Sequence, residues 1–199
     1  MTDVRRPLVL ASASPRRHWL LREAGFEFVV RPPEVDESPL SGDTPEELAK
    51  RLALLKARTV VERSEPDCCI LAADTVVVLD EQILGKPGDE REAAGMLLAL
   101  AGRVHRVLTG FALLVAGSDL CEVDVVESLV RMGPVGADEA RAYAASGEPL
   151  DKAGAYAVQG AGGRFVEAIE GSRSNVIGLP IEVLVPRLAA LGVRPTCPD

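Results

Sequence analysis

Two arginines at a helix start are the first chemically pointed feature of this chain. In Leu8–Arg17 (LVLASASPRR) an apolar run reads as a strand, and Ser14-Pro15 reads as an N-cap followed by the first helical residue. Arg16 and Arg17 then fall in the first helical turn, where the helix dipole is positive and basic residues are unfavourable. Stability is a poor reason for that placement. Exposed backbone N–H groups, two guanidinium forks and the hydroxyls of Ser12 and Ser14 would together cradle an anion, a phosphate above all. The competing reading is a surface helix start with solvated arginines.

Asp74 is the second signal. It interrupts CILAADTVVVL (Cys69–Leu79), a run apolar enough to be a strand covered on both faces. A carboxylate there either sits where the strand emerges into a cleft, as a general base or a ligand for a hard cation, or is buried as the cap of a neighbouring turn. The third signal is a pair of lysines beside chain-turning residues, Lys86 in Gly85-Lys86-Pro87 and Lys152 in Asp151-Lys152-Ala153-Gly154, where an ammonium could be aimed at a phosphate. The acidic loop Pro33–Glu37 reads equally as a solvated charge run or a magnesium site.

The elements expected to carry these groups alternate as α/β. Phe26–Val30 reads as a strand, and Arg31–Asp43 as a Pro- and acid-rich loop. Thr44-Pro45-Glu46-Glu47 is a capping box that opens a helix with an expected apolar stripe of Leu48, Leu52, Leu55 and Thr59, leaving Lys50 and Lys56 off it. After Cys69–Leu79 come a turn at Asp80-Glu81, a short return strand at Ile83-Leu84, and a helix from Asp89 to Ala101 closed by Gly102. Arg103–Val115 and Leu120–Arg131 read as strands joined at Gly117-Ser118, followed by a helix over Asp138–Ser146. Gly147–Gly163 is a long glycine-rich loop of the kind that carries function, Phe165–Ile169 a strand, and Pro180 the start of a last helix that Pro186 should kink or restart.

Composition narrows the partners. The 199 residues are 47% hydrophobic and 26% charged, ordinary for a globular protein. A net charge of −8 and a pI near 4.9 argue against nucleic acid as partner, and a polyanionic ligand would need a local cationic cluster. Cys68, Cys69, Cys121 and Cys197 form no C-x-x-C pair, so reduced thiols are expected, buried at Cys68 and Cys69. His18, expected on an exposed helix face, and His105, expected in a strand, lack zinc-site spacing. No apolar run has the length of a membrane span, and the N-terminal one is too short for a signal peptide, which points to the cytoplasm.

Taken in order, the pieces form a family pattern: Ser12–Arg17, Val35-Asp36-Glu37, Leu55-Lys56-Ala57, Ala73-Asp74-Thr75, Gly85-Lys86-Pro87, Thr109-Gly110, Ser146–Pro149 running into Asp151–Tyr156, Val158-Gln159-Gly160 and Ser174–Pro180. The chain resembles Maf-family nucleoside triphosphate pyrophosphatases over almost its whole length. The resemblance implies one Maf-like domain over residues 1–199, an elongated mixed twisted β-sheet flanked by helices, and two lobes around a nucleotide-binding cleft. It implies hydrolysis of a nucleoside triphosphate between the α and β phosphates with a divalent cation, Mg2+ or Mn2+, in a homodimer. Carried onto this sequence, Asp74 is the general base, Ser12, Arg17, Lys56 and Lys86 hold the triphosphate with Lys152 joining them, and Glu37 holds the metal. Arg16, Thr75 and Gln159 match the branch resembling dTTP/UTP pyrophosphatases. The Gln159 amide can donate and accept, which suits the O4/N3–H edge of thymine or uracil. The alternatives are the same chemistry on another nucleotide, such as 7-methyl-GTP, or a nucleotide-binding regulator without turnover linked to cell division.

Overall fold

A computed structural model describes residues 5–38, 40 and 42–196; Cys197 and the first four residues of the N-terminal segment lie outside them. Its strands are β1 (Leu8–Leu10), β2 (Val29–Val30), β3 (Cys69–Leu79), β4 (Gln82–Leu84), β5 (Val104–Val115), β6 (Cys121–Met132) and β7 (Val166–Glu170). Its helices are α1 (Pro15–Glu23), α2 (Pro45–Val61), α3 (Glu90–Leu100), α4 (Ala137–Ala144), α5 (Arg173–Ile177) and α6 (Ile181–Ala190). The strands form one mixed sheet in the order β2-β1-β3-β5-β6-β7, with β4 paired to β3 off that path. β1 runs parallel to β2 and β3, whereas β4 and β7 pair antiparallel with β3 and β6. The expected mixed sheet with flanking helices is therefore observed.

By contact the described residues divide into two compact units, and β3, β5 and β6 pass from one to the other at Asp74/Thr75, Leu108/Thr109 and Val126/Glu127. The first unit holds the residues up to Asp74, Thr109–Val126, and those from Gly178 onward. Its core is a seam of small residues: Ala53, Ala57 and Val60 of α2 meet Val9, Ile70, Ala72, Ala112 and Leu114 of the sheet. At Gly110 a Cβ would lie 2.3 Å from the backbone of Ala49, so helix and sheet touch main chain to main chain. Such close packing is available only to residues with little or no side chain.

The second unit, Thr75–Leu108 and Glu127–Ile177, has a fuller apolar core. Leu97 and Leu100 of α3 and Tyr143 and Ala144 of α4 pack there with Val77 and Val107 of the sheet and with Tyr156 and Phe165. The two residues between β3 and β4, Asp80 and Glu81, both take positive φ (47° and 65°), the geometry of a tight two-residue hairpin.

Several sequence expectations need correction. The strand expected over Phe26–Val30 shrinks to Val29–Val30, because its partner β1 is three residues long and offers register only at Val9↔Val29 and Leu10↔Val30. The α2 stripe drifts by one position after its second turn. Leu48 and Leu52 are buried as expected, but Leu55 is 37% exposed and the buried face continues through Ala53, Lys56, Ala57 and Val60. Small residues rather than the leucines face the sheet, and Lys56, seven residues after Ala49, lies on that same face. Gly147–Gly163 is no open loop but contains 3-10 turns at Glu148–Asp151 and Ala153–Ala155 and the start of a third at Ala161. α5 was not expected at all, and α6 runs unbroken through Pro186, which lacks the amide that would donate to Glu182. His18 is half-buried rather than exposed, its Nε2 2.8 Å from the Ser12 carbonyl.

Other expectations hold. Thr44 and Glu47 cap α2 reciprocally, with Thr44 Oγ1 accepting from the Glu47 amide at 3.2 Å and Glu47 Oε2 from the Thr44 amide at 3.0 Å. Cys68 and Cys69 are buried free thiols, and burial pushes Cys69 up to about 12. Among the described residues no helix is long and apolar enough to cross a membrane.

Candidate active site

Three neighbouring elements of the first unit deliver charged groups to one place. Ser12 follows β1 by two residues, α1 begins at Pro15, and β3, paired parallel with β1, brings Asp74 to its sixth position. Ligand sites in α/β folds favour this location, where strand ends meet helix starts. Ser14 makes no side-chain cap to α1, and the first turn holds no acid to offset Arg16 and Arg17.

The Ser12 hydroxyl is buried and accepts from the Ser14 amide and from Arg17 Nη1, both at 3.2 Å. Arg17 Nε donates to the Gly178 carbonyl at 2.8 Å. The guanidinium fork is thus clamped between the β1–α1 turn and the entry to α6. Burial pulls the Arg17 guanidinium below its ordinary value; Asp74 and Glu37 work against that lowering, and Arg16 adds to it. The role of Gly178 was not anticipated. Its one advance signal was its place in the Ser174–Pro180 motif.

The centre of the site is a buried ion pair. Lys56 (6% exposed) and Asp74 (8% exposed) meet with Nζ 2.6 Å from Oδ1. The same ammonium lies 2.7 Å from Oε1 of Glu37, whose side chain is half-exposed in the loop before α2. Removing a charge pair from water costs several kcal/mol that mutual attraction only partly repays, so burying this one needs a reason beyond stability. Ser12, Arg17, Glu37, Lys56 and Asp74 are therefore gathered together, with Arg16 beside Arg17 and half-buried.

The remaining expected residues belong to the second unit. Thr75, the next residue of β3, is half-buried. Lys86 is exposed in the loop after β4. The Gly154 amide donates to the Gly85 carbonyl at 3.1 Å, so the segments bearing Lys86 and Lys152 are stitched together beside each other. A Cβ on Gly154, at φ +70°, would come within 2.9 Å of Val77, so the chain there must stay bare. Lys152 Nζ donates to the Glu148 carbonyl and pairs with Asp151 at 2.5 Å. Gln159 is half-buried, between Val158 and Gly160. His105, also of this unit, is 2% exposed with Nε2 2.7 Å from the Tyr156 hydroxyl, and burial pushes its imidazole down to about 4.

The sequence profile of the family described as Maf-like protein matches residues 7–191. A dTTP/UTP pyrophosphatase of Desulfotalea psychrophila is 49% identical over 92% of this chain and 93% of its own length. One from Symbiobacterium thermophilum is 47% identical over 93% of this chain and 94% of its own. A solved nucleoside-triphosphatase / dITP/XTP pyrophosphatase from Mycobacterium abscessus is 17% identical over 93% of this chain and 95% of that one, at a TM-score of 0.42.

Proposed function

Because the chain belongs to the Maf-like protein family, we propose that it hydrolyses dTTP and UTP to the nucleoside monophosphate and pyrophosphate. The observation that carries this reading is the buried Lys56–Asp74 pair beside the Ser12–Arg17 clamp: cations and a carboxylate held within reach of one anion. The relatives' shared name supports the pyrophosphatase chemistry and the two pyrimidine substrates.

In this mechanism Arg17, Lys56 and the Ser12 hydroxyl grip the triphosphate, and Arg16 adds charge at the same helix start. Lys86 and Lys152 are read as further phosphate ligands. Such reactions are driven chiefly by positioning and by neutralising charge on the non-bridging oxygens. Asp74 takes a proton from the attacking water, directing it at the α-phosphorus so that pyrophosphate leaves. Lys56, already on Asp74 Oδ1, fixes the carboxylate's orientation and leaves proton acceptance to the other oxygen.

The donor set suits a hard divalent cation, since carboxylate oxygens of Glu37 and Asp74 converge on a single point, the Lys56 ammonium. Among the described residues no group of three acidic, histidine or cysteine side chains could hold a metal alone. Mg2+ or Mn2+ held by Glu37 would complete its shell with water and phosphate oxygens, as magnesium commonly does. When bound, the cation supplies further charge neutralisation on the phosphates. Thr75 and Gln159 are the base-reading groups, with Arg16 as the third position that marks this branch. The reading treats residues 1–199 as one functional domain, a homodimer of the cytoplasm.

Pyrophosphate release measured with magnesium across dTTP, UTP, dUTP, CTP, GTP, ATP and 7-methyl-GTP tests the proposal. The expected result is a preference for dTTP and UTP. Preference for CTP or a purine would refute the roles given to Arg16, Thr75 and Gln159.

A further inference from the structure

The Gly147–Gly163 segment is folded around one carboxylate. Glu148 Oε1 accepts from the Tyr143 hydroxyl at 2.9 Å and from the Gly162 amide at 3.1 Å, while Oε2 accepts from the Ala161 amide at 3.1 Å. A side chain at the start of the segment thereby binds backbone at its far end. The glycines show how tightly. A Cβ at Gly160, where φ is +110°, would fall 2.8 Å from Glu148 Oε1. At Gly162 it would fall 2.4 Å from the Tyr143 hydroxyl, and at Gly163 2.6 Å from the Val158 carbonyl. At Gly160 and Gly162 the main chain is laid directly on the carboxylate and its partner phenol, and no side chain could be added there without pushing it off.

Burial works to raise the Glu148 carboxyl, but the Gly162 amide, the Tyr143 hydroxyl, the Ala161 amide and Lys152 outweigh it and hold the group below the ordinary glutamate range. An ionised carboxylate is acceptor-only, so it matches three donors without conflict. A neutral amide could not do the same, because its NH2 would face a backbone N–H. Tyr156 secures the other side of the turn through its hydroxyl contact with His105. Between Tyr156 and Ala161 stand Ala157, Val158, Gln159 and Gly160.

We propose that Glu148 is a positioning residue for base selection, its carboxylate clasp fixing the Gln159-Gly160 turn so that the Gln159 amide faces a pyrimidine in one orientation. The inference rests on the reading of Gln159 as a base-contacting group. Uracil presents O4 as acceptor and N3–H as donor, and cytosine presents the reverse polarity at both positions. The Gln159 side chain reaches one base edge well only from a fixed backbone position, and a turn free to shift loses that contact and the preference with it. Holding the turn in place is what Glu148 supplies.

Steady-state pyrophosphate release with UTP and with CTP, for the unaltered protein and for Gln159→Ala, Glu148→Gln and Tyr143→Phe, tests this. Losing one well-placed hydrogen bond corresponds to about tenfold. Glu148→Gln is expected to raise KM for UTP by about that factor, with kcat within about twofold, and to shrink the UTP-over-CTP ratio of kcat/KM in proportion. Tyr143→Phe, which removes one donor to the same carboxylate, should move the ratio the same way by about threefold. It also carries the test if Glu148→Gln does not fold. Equal loss on both nucleotides, or a fall in kcat alone, would mean that Glu148 merely holds the fold and would overturn the proposal. If Gln159→Ala abolishes the ratio while Glu148→Gln and Tyr143→Phe preserve it, the positioning role fails and the Gln159 reading survives. If Gln159→Ala itself preserves the ratio, the Gln159 reading fails and takes the positioning role with it.

Discussion

The two units place the proposed functional side chains by different means. In the first, Ser12, Arg17, Lys56 and Asp74 sit on or directly beside regular elements, and a main-chain contact at Gly110 and Ala49 seats the helix that carries Lys56. Its polar groups are buried and bound to one another. In the second, Lys86, Lys152 and Gln159 lie in connecting segments that are tied by local bonds, Gly154 to Gly85 and Glu148 to Ala161 and Gly162. Hydrogen-bonded ladders and helix seams tolerate little adjustment, whereas a turn held by a few side-chain bonds can be retuned by a single substitution. Chemistry that must not vary belongs on the former and selectivity on the latter.

Substitutions separate these roles by size of effect. Asp74→Asn should lower kcat by about a thousandfold, the scale of a lost general base, while nucleotide binding measured by calorimetry changes little. Unchanged turnover would remove the chemistry from the first unit altogether. Lys56→Met leaves Asp74 buried without its partner and should destabilise the protein by about 3 kcal/mol in a urea titration. Adding Asp74→Asn to Lys56→Met should recover much of that loss, because the stranded charge is gone; additive losses would show that the pair is not coupled.

Acid should expose the second unit. His105 is held neutral with its value lowered from about 6.5 to about 4, so the unfolded chain binds a proton in that window and the folded chain does not. Stability from this group is therefore complete above pH 6.5 and is lost as pH falls toward 4, by up to about 3 kcal/mol. His105→Gln should flatten that part of the pH–stability curve, and an unchanged slope would contradict the assignment. The smallest effect expected is Gly110→Ala. Its Cβ meets main chain, so α2 must shift, at a cost of about 2 kcal/mol by thermal melting and with activity falling alongside as Lys56 moves.

Legibility in the sequence follows the same division. Strand β3 with its embedded aspartate, the Thr44–Glu47 box and the bare helix start at Arg16 and Arg17 could be read directly, since each is written in local pattern. The face of α2 that carries Lys56 could not. Periodicity followed the leucines, and nothing local says that Ala53 and Ala57 pack against the sheet opposite a glycine some fifty residues away. Lys56 entered the expected site by family resemblance alone. The clasp at Glu148 was equally hidden, because a glutamate in a Gly-Pro context looks like solvated surface until the amides thirteen and fourteen residues later are seen on it. Lys86 and Lys152 stood out as lysines beside chain-turning residues, whereas Gln159 was recognised by resemblance alone, as connecting segments have no periodicity to betray it.

The sulfur chemistry of the chain also follows from its packing. Burial pushes the Cys69 thiol up to about 12 and also covers Cys68, so neither sulfur is open to a maleimide dye. Cys121, exposed at the start of β6, is the accessible thiol among the described residues, a natural tether for a fluorophore or a surface.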